Sequence, residues 1–154
     1  MQKSKSATAT VDPPSSLLSV SDALCRAASE CCRQHDRVAR IVERSDVEVE
    51  VSFAQEFCEV IHTGLGKLLD VYDQAATAEP GNGETLRQRA NALQQAARDY
   101  LRRHNECDRA ARKLHRHDSQ LLATLAMEFE FEASALLALR HATEAYRKAR
   151  PEAA

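Results

Sequence analysis

Apolar residues recur along this chain in alternate steps of three and four, in four separate stretches. The first runs Leu17, Ser21, Leu24, Ala28, Cys31, His35, Val38, Val42, and the second Val47, Val51, Ala54, Cys58, Ile61, Leu65, Leu68, Tyr72, Ala75. The third runs Leu86, Ala90, Leu93, Ala97, Tyr100, His104, Cys107, Ala111, Leu114, and the fourth Leu122, Leu125, Phe129, Glu132, Leu136, Leu139, Thr143, Tyr146. A stripe of this period is the buried face of a helix packed on its neighbours. His35, His104 and Glu132 are the only His or carboxylate side chains that interrupt the four seams.

The signals between the seams predict helices over 17–44, 46–77, 83–116 and 119–149. Ser45 and Glu48 have the spacing of a capping box, and Asn82 can cap the third helix after Glu79-Pro80-Gly81. Val47 to Phe53 alternates with period two, a strand signal. A lone strand leaves its backbone groups unpaired, so helix is the expectation there. No Gly or Pro divides the third helix from the fourth. The switch from Arg112, Lys113, His115, Arg116 and His117 to Asp118 predicts a turn, with Asp118 or Ser119 as the cap. Arg147, Lys148 and Arg150 ahead of Pro151 end the fourth helix. Short connections make neighbours antiparallel, so the expected fold is all-α, an up-down-up-down four-helix bundle forming a single domain over 17–150. Residues 1–16 carry little to bury and are expected to form a disordered tail.

Composition narrows the classes. The chain has 154 residues, 44% hydrophobic and 29% charged, with a net charge of −2, so nothing favours nucleic acid as a partner. No apolar run approaches the roughly 20 residues of a membrane helix. The absence of a secretory h-region points to the cytoplasm. Five cysteines at 25, 31, 32, 58 and 107 form no CxxC pair and read as reduced, small core hydrophobes. Cys31, Cys58 and Cys107 lie on seams and are expected to be buried, with Cys25 and Cys32 flanking.

Counting levels through the antiparallel turns places His35, Cys58, His104 and Glu132 within roughly 5 Å of one depth, at about 1.5 Å rise per residue. Two imidazoles, a thiolate and a carboxylate suit Zn²⁺ or another first-row transition metal. The alternative is a polar layer whose members satisfy one another, His with Glu132 or Tyr100, and fix register. Glu59-Val60-Ile61-His62 matches one half of a di-iron carboxylate site, but no second Glu-x-x-His exists and Glu59 points off the seam. Arg98 with His104, and Arg109 with His115, are similar to the Arg-x(4–6)-His element of HEPN-type helical ribonucleases, over a few residues of one helix. No Gly-rich phosphate loop exists, and Gly64 and Gly66 fall inside the second helix, where close packing or a kink is expected.

Helix 2 is mostly acidic and the later half of helix 3 basic, so the two are expected to lie side by side. A basic strip including Arg102, Arg109 and Arg116 could also receive an acidic partner. With no catalytic set in view, the leading expectation is a non-enzymatic interaction protein: an adaptor, a regulator or an assembly subunit, with homo-oligomerisation open. A metal-binding bundle comes second and a helical hydrolase third.

Overall fold

The computed structural model describes residues 16–44, 48–78, 84–113 and 118–150. Four helices account for them: α1 (Leu17–Arg44), α2 (Glu48–Ala78), α3 (Glu84–Arg112) and α4 (Ser119–Ala149). The expected tail lies outside the described residues, except Ser16, as do Ser45, Asn82, His115, Arg116 and Pro151. The segment with strand-like alternation is helical from Glu48 onward. α3 ends at Arg112, and of the remaining expected span to 116 only Lys113 lies within the described residues.

Local chemistry sets the ends. The Ser16 hydroxyl accepts the Ser19 N–H at 3.2 Å, and the Ser16 carbonyl accepts the Val20 N–H at 3.0 Å, capping α1. Asp118, one of the two expected caps, begins α4 with its carboxylate accepting the N–H groups of Gln120 and Leu121 at 3.0 and 3.1 Å. A capped start at Asp118 separates α3 from α4, so the long apolar stripe folds back on itself within one chain.

Cross-helix bonds give the direction of each pair. Along α1 and α4, Asp22 meets Arg150, Ser29 meets Arg147 and Asp36 meets Arg140, so the two run antiparallel. His62 with Tyr100, Tyr72 with Asn91 and the Ala76 carbonyl with Arg87 do the same for α2 and α3. α1 also touches α3 across one diagonal, whereas α2 and α4 stay apart across the other. This is the up-down-up-down bundle.

The core is made of small residues and tyrosines. Leu24, Ala28, Leu65, Leu93, Ala97, Tyr100 and Leu139 are wholly excluded from solvent. Ala28, Ala90, Ala97, Cys25, Cys31 and Cys32 keep the helices close. All three tyrosines of the chain are buried, and each hydroxyl finds a polar partner, as a buried phenol requires. Tyr72 donates to Asn91 Oδ1 at 2.6 Å, Tyr146 donates to Asp22 Oδ1 at 2.8 Å, and Tyr100 Oη lies 3.0 Å from His62 Nε2. The buried hydroxyls of Ser29 and Thr143 donate to the carbonyls four residues back.

Four expectations need correction. Leu122 and Phe129 are seam residues by pattern yet stay exposed, and among the described residues α2 and α4 make no close backbone approach. The buried stripe of α2 follows Leu65, Leu69, Tyr72 and Ala75, with Leu68 only partly covered, since a straight helix drifts off a seven-residue repeat. Cys25 and Cys32 are buried as fully as Cys31, while Cys58 is only half-buried. α1 packs against α2 on one side and α4 on the other, so its buried face is wider than one seam. Finally, α2 runs unbroken through both glycines. A methyl group at Gly64 meets nothing within 4 Å, and at Gly66 it makes only an ordinary contact with Leu101.

Candidate functional site

The tight core fills the half of the bundle that holds both chain ends of the described fold. Toward the opposite end the helices part and leave a cavity of about 590 Å³. Its walls come from all four helices: His35, Val38, Ala39 and Glu43 of α1; Gln55, Cys58, Glu59 and His62 of α2; Tyr100, His104 and Asp108 of α3; Phe129 and Glu132 of α4. The four residues of the expected layer, His35, Cys58, His104 and Glu132, all line it.

At its floor, His104 Nδ1 and Glu132 Oε1 lie 2.7 Å apart, joining α3 to α4. His62 sits beside them with its ring centroid 4.0 Å from that of His104 and 5.5 Å from that of Tyr100. The depth calculation missed His62, because Ile61 and not His62 falls on the seven-residue seam. The available signal was the Glu59-x-x-His62 element itself, and both of its members line the cavity.

Burial decides the protonation states. Desolvation pulls the His62 imidazole down to about 4, helped by the neighbouring His104, so at neutral pH it is uncharged. Burial pushes the Glu132 carboxyl up, but hydrogen bonding and charge from His104, with a smaller share from the Cys107 thiol, outweigh it and leave the group below its ordinary value. Burial also pushes Cys31 and Cys107 up to about 12 and raises Cys25, Cys32 and Cys58. All five thiols are therefore protonated at neutral pH. Among the described residues, no three His, Cys, Asp or Glu side chains are grouped so as to hold a metal ion. Two buried side-chain atoms have no hydrogen-bond partner there, His62 Nδ1 and Glu128 Oε2.

The other candidate features lie on the surface. Arg98 pairs with Asp73 of α2, which ties the basic half of α3 to the acidic helix. Arg102 faces Asp99 and Glu106, Arg103 faces Glu106, and Arg112 faces Asp108, all on α3 itself. Arg109 is exposed. Arg98 and His104 stand six residues apart, which turns them about 120° from one another at 100° per residue. Asp73 holds the first and Glu132 the second. Large apolar side chains are left in solvent on α2 and α4: Phe57 is 50% exposed, Val60 67%, Leu122 51%, Met127 57%, Phe129 53% and Leu137 53%. Arg103 covers Phe131, with its guanidinium carbon 4.7 Å from the ring centroid. Among the described residues no helix is long and apolar enough to cross a membrane.

No family model, curated protein or solved structure matches the chain.

Proposed function

We propose that this chain is a non-enzymatic interaction module, a four-helix support that engages a protein partner through apolar strips left uncovered on α2 and α4. The observation that carries this reading is the exposure of large apolar side chains on those two helices. Exposed apolar residues on a monomer are ordinarily scattered singly. Here Phe57, Val60 and Val71 recur on one side of α2, with Gly64 between them and open space above it. On α4, Leu122 and Phe129 occupy one flank of the buried stripe, Phe131 lies on the other side, and Met127 is close to the opposite face, at about 100° per residue. The basic strip of α3 contributes less than these faces, because Arg102, Arg103 and Arg112 are paired with acids on the same helix. Protonated, buried thiols are poor nucleophiles, which favours binding over catalysis.

The test is the size of the native assembly. The wild-type chain should migrate in cell extract well above its own mass of 17.1 kDa. A triple variant, Phe57→Asp, Val60→Asp and Phe131→Asp, should return it to the monomer position while keeping its helicity. Migration as a monomer, or a complex indifferent to these substitutions, refutes the reading.

A metal-binding bundle is the second reading, favoured by three imidazoles, one thiol and Glu132 around one cavity. Its donors must swing to converge on a Zn²⁺ ion at about 2.0–2.3 Å. On this reading Zn²⁺ raises the melting temperature of the wild type and leaves His104→Ala unchanged.

A further inference from the structure

The cavity at the open end lies within the range of about 300–1,000 Å³ typical of small-molecule sites, and like them it combines apolar walls with a few converging polar groups. Its chemistry is sorted by depth. Glu43 and Glu59 stand exposed at the rim, Asp108 is half-buried, and Glu132 is buried at the floor. Val38, Ala39 and the Phe129 ring supply apolar surface between them. Among the described lining residues there are four carboxylates and no Lys or Arg.

We propose that this cavity binds a small organic cation, an ammonium carrying an apolar or aromatic body. An anion entering here meets the exposed carboxylates of Glu43 and Glu59 at the rim, while Arg112 already holds Asp108 and His104 already holds Glu132. A cation is drawn in by the exposed rim acids and held where low-dielectric walls strengthen its attraction to the carboxylates. The exposed aromatic face of Phe129 adds a surface suited to a cation or to its apolar body. A bare metal ion leaves the apolar wall and most of the volume unused, and its donors are not grouped. The floor has spare hydrogen-bonding capacity as well. In the tautomer whose Nε2–H donates to Tyr100, the Nδ1 lone pair of His62 is buried without a partner among the described residues, on a ring whose centroid lies 4.0 Å from that of His104. This site is separate from the outer strips assigned to a protein partner, except for Phe129 at its mouth.

Three probes with one ring and different charge test the proposal on the full chain: 2-phenylethylamine, 2-phenylethanol and phenylacetate, each titrated by isothermal calorimetry and amide-resolved NMR. The amine is expected to bind saturably, shifting amide resonances of the lining residues, at least about tenfold tighter than the alcohol, with phenylacetate inert. Glu132→Gln should cut amine affinity about tenfold and leave the alcohol unaffected. Because Glu132 also ties α3 to α4, the double variant Glu43→Gln, Glu59→Gln at the exposed rim repeats the test without touching the core, with a smaller loss of about threefold expected. Equal binding of all three probes, no saturable amine binding up to about 10 mM, or stoichiometric Zn²⁺ that displaces the amine overturns the proposal.

Discussion

The two halves of this bundle are built on one repeat and end up different. In the packed half, around Leu24, Leu65, Leu93 and Leu139, the seams carry Leu, Ala, Cys and Tyr, and solvent is excluded entirely. In the open half the seams carry His35, Cys58, His104 and Glu132, and these four line a cavity. Small apolar residues let helices close on each other and gain from burial. Imidazoles and carboxylates lose hydration when buried and need partners that a closing core does not supply. The packed half is thus a support, and the open half keeps its polar groups around a cavity and its Phe and Leu side chains in solvent. A heptad predicts a helix face. Whether that face closes depends on the chemistry placed on it.

The largest expected effect separates the halves by truncation. Leu139→Ala, at a position with no exposure, should cost about 2–5 kcal/mol in urea unfolding, the usual range for emptying a core site. Phe129→Ala, more than half exposed despite its seam position, should cost under about 1 kcal/mol. Equal losses erase the distinction.

Acid should act on the open half first. The folded His62 imidazole titrates near 4 against 6.5 for the free group, so the unfolded chain takes up a proton that the folded chain refuses. Stability is therefore complete above pH 6.5 and declines as the pH falls toward 4, by up to about 3 kcal/mol at about 1.36 kcal/mol per unit. Glu132, held below 4.5, adds its loss only at lower pH, which separates the two. Urea unfolding repeated across this range should give a slope that His62→Gln flattens.

In the packed half, Asp22 accepts from Tyr146 and takes a two-pronged bond from Arg150. Asp22→Ala removes the carboxylate that accepts from the buried Tyr146 hydroxyl, which should cost about 1–3 kcal/mol in the same assay. Tyr146→Phe in that background should recover part of it.

The smallest effect is a gain. Gly64→Ala adds a methyl group that meets nothing and removes unfolded-chain freedom, so stability should rise by up to about 1 kcal/mol. If the α2 strip is a partner surface, the same substitution should weaken the native complex while strengthening the fold.

Much of the fold was legible because it follows from local rules. The spans of α1 and α4 and the Asp118 cap all follow from seam period and end chemistry. The depth count through antiparallel turns brought His35, Cys58, His104 and Glu132 to one level, and all four line one cavity. Where the reading failed, the cause was three-dimensional. Leu122 and Phe129 depend on where α2 lies, which no property of α4 reveals. His62 was missed because the seam takes one residue per step and took Ile61, although His62 lies only about 60° around the helix from Leu65 at 100° per residue. Gly64 read as a packing residue because the pattern does not say that a methyl group there meets nothing within 4 Å among the described residues.

Native-state hydrogen exchange resolved by residue tests the central division most directly. The account predicts that amides around 24–32, 65–75, 93–100 and 136–146 exchange only through global unfolding. Those around 35–41, 55–61, 104–110 and 122–130 should exchange through a smaller opening, with protection at least about tenfold lower. Equal protection in the two sets, at the global unfolding limit, would contradict it.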